Sequence, residues 1–131
     1  MKKVILFVCK ENSARSQMAE GFFNFYNTNP FYVGVSAGTN PIVSIKPHAI
    51  LVMKEKGIDI SKQAPKILTS AMAQGAYKIY TMGCIDSCPL TPPSKTDDWN
   101  LEDPGGKSID AFRKIRDEIE ERVKKIVSDL S

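Results

Sequence analysis

Cys9 and Arg15 open and close the run Cys9-Lys10-Glu11-Asn12-Ser13-Ala14-Arg15, and Ser16 follows directly. A cysteine and an arginine so spaced suit nucleophilic attack by a thiolate on a phosphate-like oxyanion. The bare pattern C-x5-R-S says little until its surroundings are read. Between a buried strand and a helix, consecutive backbone N–H groups curl around an anion at the helix N-terminus, where the helix dipole favours negative charge. The same partial positive charge favours the thiolate, the reactive form of cysteine. Arg15 would grip two equatorial oxygens with its planar guanidinium, a fork that lysine lacks. Ser16 offers a hydroxyl to the sulfur, and Asn12 is a residue type that tolerates the positive φ of a tight loop. Lys10, Glu11, Ser13 and Ala14 complete the expected oxyanion-binding loop. The bland alternative, a structural cysteine near an unrelated surface arginine, leaves the placement of the loop unexplained.

The elements around the loop supply that placement. Val4-Ile5-Leu6-Phe7-Val8 is an unbroken β-branched and aromatic run, the pattern of a central strand buried on both faces. After the loop, Met18, Phe22, Phe25 and Tyr26 recur at helical spacing until Asn27, Asn29 and Pro30 stop the helix. Tyr32 to Ala37 reads as a second strand closed by Gly38. Pro47 starts a helix carrying Ile50, Leu51 and Met53 that ends at Gly57. A short helix is expected within Pro65 to Gln74, and a third strand at Tyr77 to Met82. Gly83 to Gly106 holds two cysteines, the only tryptophan and prolines 89, 92, 93 and 104, with at most a short strand near Trp99. So long an irregular stretch in a small domain is usually functional or mobile. The last helix has one apolar stripe of Ile109, Phe112, Ile115, Ile119, Val123, Ile126 and Leu130. Glu118 with Arg122, Glu120 with Lys124 and Glu121 with Lys125 add pairs four residues apart. Alternating strands and helices predict an α/β fold, an open sheet with helices on both faces and ligands beyond the carboxyl ends of the strands. Cys9 stands at such an end.

Composition narrows the classes. A chain of 131 residues, 42% hydrophobic and 25% charged, suits one compact domain spanning residues 1–131. Its formal charge of +3 comes from scattered lysines and no basic block, so nucleic acid is not an expected partner. The apolar run after Met1-Lys2-Lys3 is too short for a secretory core, and no stretch approaches a membrane span. A cytoplasmic location follows, where thiols are reduced and cysteines are more often catalytic than structural. Cys9, Cys84, Cys88 and His48 would make four zinc ligands, but no second ligand pair has metal-binding spacing, and no metal is expected. His48 reads as a surface residue at a helix start and Trp99 as a core or loop anchor.

The loop, continuing as Gln17-Met18-Ala19-Glu20-Gly21, together with Ser36-Ala37-Gly38, Gly57-Ile58-Asp59-Ile60-Ser61, the cysteine segment and Glu102-Asp103-Pro104, resembles the low-molecular-weight protein tyrosine phosphatase family. The likeness runs along essentially the whole chain and is nearest to the family's arsenate reductase branch. It implies an open four-stranded parallel sheet, Cys9 as nucleophile, Arg15 as oxyanion clamp and Asp103 as general acid. Two positions depart from the family: Glu11 stands where glycine is usual, and Ala14 where cysteine is frequent. An acidic side chain beside an anion site is expected to point away or weaken the site.

Both branches begin with attack by Cys9, so other residues must separate them. The phosphatase branch usually places tyrosines after its Asp-Pro, whereas Gly105-Gly106 follows Pro104 here, and Lys10 beside the nucleophile is no aromatic platform. A reductase needs further thiols, and Cys84 and Cys88 provide them. The implied relay runs from a Cys9 thiol-arsenate adduct, through attack of Cys84 on the Cys9 sulfur with expulsion of arsenite, to a Cys84–Cys88 disulfide. No bound cofactor is expected. The reductant would be an external thiol system, thioredoxin or glutathione with glutaredoxin, and the three-residue gap between Cys84 and Cys88 leaves the two open. The protein is expected to act as a monomer. The alternative function is a phosphatase that hydrolyses phosphomonoesters through a Cys9 phosphocysteine.

Overall fold

The computed structural model describes residues 2–83 and 91–130. Strand β1 (Lys3–Cys9) leads through the Cys9 loop into helix α1 (Arg15–Tyr26) and then strand β2 (Tyr32–Gly38). Helices α2 (Pro47–Lys54) and α3 (Ser70–Gly75) precede strands β3 (Lys78–Thr81) and β4 (Thr96–Asp98), and helix α4 (Ile109–Leu130) closes the chain. The four strands form one sheet in the order β2-β1-β3-β4, and every pairing is parallel. The expected four-stranded parallel architecture is thus the observed one.

Alternation along β1 shows why its sequence is apolar throughout. Ile5 and Phe7 enter a large cluster with α1, α2 and α4, while Leu6 and Val8 enter a smaller one with Ala37, Leu68, Ala73 and Ile79. Both faces are therefore covered, α3 lying on the smaller side. Fully burying such side chains contributes roughly 1.5–3 kcal/mol each relative to exposure. The stripe on α4 is observed as read: Phe112, Ile115, Ile119, Val123 and Ile126 are buried, with Ile109 and Leu130 packed at its ends. Glu120 reaches Lys124 at 3.9 Å, while Arg122 lies over the Trp99 ring at 5.6 Å.

Two helix faces differ from the sequence reading. In α1, Phe25 is 56% exposed, and Phe23 takes a core position against Phe7, with ring centroids 6.1 Å apart. The helix packs against both α4 and the sheet, so its apolar face is wider than one stripe. In α2, Leu51 is exposed, and Ala49, Val52 and Met53 make the buried face. Trp99 is buried beside Phe7 and Tyr80, as an anchor. His48 is solvent-exposed, with one ring edge on Phe112.

Candidate active site

Parallel pairing with β2 and β3 sets Cys9 at the carboxyl edge of the sheet, opposite Gly38. The loop from Cys9 to Arg15 turns back on itself there because Asn12 adopts φ 52°. Asn12 pays little for that conformation compared with a branched residue. Gly38 gives the loop room: a β-carbon on it would stand 2.6 Å from the Lys10 carbonyl oxygen. The segment after β2 then props the loop from outside, with Asn40, Ile42 and Lys46 amides donating to the carbonyls of Lys10, Glu11 and Ser13.

The sulfur is held from within. Cys9 Sγ is 2.8 Å from Ser16 Oγ and accepts the Asn12 amide at 3.2 Å. Asn12 Oδ1 accepts the backbone N–H of Lys66 at 2.9 Å, an unambiguous donor that fixes which end of the side chain is oxygen. Asn12 Nδ2 therefore donates to Ser16 Oγ at 2.7 Å, and the serine hydroxyl hydrogen is left for the sulfur. Gln17 extends the network, donating to Asn12 O, Asn12 Oδ1 and Ala64 O at 3.0 Å each. Gln63 donates to Gln17 Oε1 in turn. Asn12, Ser16 and Gln17 are each fully buried, and every hydrogen bond here is strengthened by the low local dielectric.

Arg15 is anchored before any ligand arrives. Its Nη1 donates to the carbonyls of Met82 and, at 3.0 Å, Leu101, while Nη2 lies 3.8 Å from Asp103 Oδ2. Ala14 at the N-cap of α1 makes no side-chain cap among the described residues, and the first turn carries no acidic residue, so its amides suit an anion. The resulting pocket is lined by Cys9, Glu11, Ser13, Ala14, Arg15 and Asp103. Asp103 fills two places at once: Oδ1 accepts the Gly105 amide at 2.9 Å, and the carboxylate also faces Arg15.

The structure thus gathers Cys9, Arg15 and Asp103, puts Ser13 and Ala14 on the pocket wall, and sets Asn12 and Ser16 behind the sulfur. Lys10 is exposed, and its backbone carbonyl serves the loop. Glu11 is among the pocket-lining residues, and its carboxylate is engaged by Lys46, with Oε1 3.4 Å from Lys46 Nζ. Cys84 and Cys88 lie outside the described residues. Ser36 donates to Glu20 at 2.7 Å, and Asp59 accepts the Ser61 amide. Sequence reasoning missed Gln17, Gln63, Lys46 and Lys66. Gln17 did leave a signal, a polar residue next to Met18 on a face that must be buried. Among the described residues no group of three or more His, Cys, Asp or Glu side chains is arranged to hold a metal ion.

The chain is similar to known proteins along its length. The glutaredoxin arsenate reductase of Synechocystis sp. is 39% identical over 135 residues, covering 100% of both chains. A solved arsenate reductase in the phosphate binding state superposes with a TM-score of 0.83 at 34% identity, over 98% of this chain and 99% of that one. The low molecular weight protein tyrosine phosphatase from T. tengcongensis superposes with a TM-score of 0.87 at 26% identity, again over 98% and 99%. The family model for low molecular weight phosphotyrosine protein phosphatase matches residues 4–131. With the thiol, its loop and its arginine arranged as described, the chain belongs to the low molecular weight phosphotyrosine protein phosphatase family.

Proposed function

We propose that this protein reduces arsenate to arsenite. The observation that carries the reading is the buried Cys9 sulfur, held by Ser16 and the Asn12 amide at the floor of an anion pocket that Arg15 and Asp103 close. The full-length likeness to proteins named arsenate reductases supports it.

The Cys9 thiolate attacks arsenic and an oxygen leaves as water or hydroxide, which gives a thiol-arsenate adduct. Arg15 and the loop amides hold the remaining oxygens, and Asp103 supplies the proton that the leaving oxygen needs. Cys84 thiolate then attacks the Cys9 sulfur. The sulfur–arsenic bond breaks, arsenic keeps the electron pair as arsenite, and a Cys9–Cys84 disulfide forms. Attack of Cys88 on Cys84 frees Cys9 and leaves a Cys84–Cys88 disulfide, two electrons having passed from sulfur to arsenic. An external thiol reductant returns the pair to dithiol, and thioredoxin and glutathione with glutaredoxin are the two candidates. The Synechocystis relative, named for glutaredoxin, favours the second, while a closed Cys84–Cys88 pair suits the first.

A phosphatase reading draws on the same Asp103, which faces Arg15 where a leaving alkoxide would need its proton more than hydroxide does. The experiment follows NADPH oxidation with arsenate and either thioredoxin and thioredoxin reductase or glutathione, glutaredoxin and glutathione reductase. It compares wild type with Cys9→Ser, Cys84→Ser and Cys88→Ser. Turnover in one system that all three substitutions abolish is the expected result. Silence in both, with brisk Cys9-dependent hydrolysis of an aryl phosphate, would replace the reductase by the phosphatase.

A further inference from the structure

Two acidic residues line the oxyanion pocket, and their carboxylates are held differently. Asp103 faces Arg15, which belongs to the anion clamp itself. Glu11 instead has Lys46 Nζ at 3.4 Å and the Ser13 hydroxyl at 3.4 Å from the same oxygen, Oε1. Lys46 is fixed in turn: its amide donates to Ser13 O at 2.9 Å, and its Cε lies 3.2 Å from where a β-carbon on Gly105 would stand. The lysine is therefore wedged between the Cys9 loop and the Asp103 loop. The Glu11 main chain is pinned as well, because its carbonyl accepts the Ile42 amide at 3.2 Å. Glu11 and Ser13 both line the pocket, and the Ser13 hydroxyl holds the acceptor-only carboxylate beside it.

We propose that Glu11 is a specificity-determining residue: its carboxylate accepts a hydrogen bond from a ligand O–H and so selects free inorganic oxyanions over phosphate monoesters. An ionised carboxylate has lone pairs and no proton to donate. The dianions of arsenate and phosphate each retain one O–H, whereas the dianion of a phosphomonoester or phosphonate retains none and meets Glu11 with bare negative oxygen. The charge-assisted bond to an O–H offsets the repulsion in the first case only. Lys46 offsets part of the negative charge that Glu11 brings to the rim. The inference rests on the reductase reading for its biological sense, but binding tests it separately.

Calorimetric titration of wild type, Glu11→Gln and Glu11→Gly with inorganic phosphate and with phenylphosphonate, at a pH where both are dianions, gives the ratio that matters. Wild type is expected to favour phosphate. Both substitutions should lower the phosphate-to-phosphonate affinity ratio by about tenfold, the size of one lost hydrogen bond to a charged group. Lowering the pH until phenylphosphonate gains an O–H should shrink the ratio in wild type and leave the variants nearly unmoved. An affinity ratio unchanged in both variants would overturn the proposal, as would an equal loss for both ligands, since Glu11 would then merely shape the loop. A wild type with the expected ratio and no arsenate turnover under either reductant would keep this selectivity and remove the reductase.

Discussion

The two walls of the pocket are built on opposite plans. The Cys9 wall is buried and over-determined: Asn12 alone bonds Ser16, Gln17 and the Lys66 amide, and its own amide reaches the sulfur. The Asp103 wall is light, with a carboxylate side chain 58% exposed, one short bond to the Gly105 amide, and an exposed Lys107–Glu102 ion pair beside it. Preorganised donors stabilise charge without rearranging at the moment of reaction, which is what the nucleophile and the anion need. A proton donor has to follow a leaving group that differs between substrates, and a lightly held loop allows that. On the proposed reading, the nucleophile and anion clamp thus sit on the rigid wall and the proton donor on the light one.

The contrast is broken most severely at Asn12. Asn12→Ala strands buried partners on three sides and forces alanine to φ 52°, so it is expected to destabilise the protein by about 2–3 kcal/mol in urea unfolding. Asn12→Gly keeps the backbone conformation while losing the same bonds, and should recover about 1 kcal/mol of that loss. Equal stability of the two variants would mean that the loop does not need its positive φ. Asp103→Asn changes the light wall and its ion pair with Arg15. Aryl phosphate hydrolysis should fall about a hundredfold and arsenate reduction by less than about threefold, because loss of an alkoxide needs more proton assistance than loss of hydroxide. Parallel losses would show that the two reactions lean on the acid equally.

The smallest effect is expected far from both walls, where α2 meets α4. Hydrogen bonds from Arg113, and then from Arg116, hold the Glu55 carboxyl at about 2, below its ordinary 4.5. A lowered folded-state value means that this contribution to stability is present above pH 4.5 and disappears as the pH falls towards 2. In Glu55→Gln the midpoint of thermal unfolding should therefore vary less over that window, by a modest amount because these side chains are exposed. Phosphate affinity of the variant should match wild type at neutral pH. A change there would couple this outer clasp to the pocket.

What could be read from the chain beforehand follows the strength of local patterns. β1 is apolar on both faces and α4 carries a regular stripe, so both were plain, and the loop between β1 and α1 was found because C-x5-R-S falls at that junction. β4 was only suspected: Thr96, Asp97 and Asp98 have no apolar signature and hold the sheet edge by pairing with β3. Phe25 was misassigned because periodicity picks one helix face, whereas α1 buries a second one through Phe23. Within the site, Cys9 and Arg15 were visible as residue types with a chemistry, and Asp103 through the family resemblance. Lys46, Gln63 and Lys66 were not, since they reach the loop from segments distant in sequence, and nothing in their neighbours marks that contact.

The bond from Arg15 to the Leu101 carbonyl joins positions 86 residues apart. No pair of strands in the sheet is joined by a hairpin, and each parallel pairing must wait for a long crossover. During synthesis the thiol therefore emerges well before the carbonyl that steadies its arginine. Such a topology folds slowly for its size, because distant contacts must close before they contribute. Between those two moments the arginine beside Cys9 lacks the Leu101 carbonyl that anchors it. The length of that interval is thus set by the order of the strands.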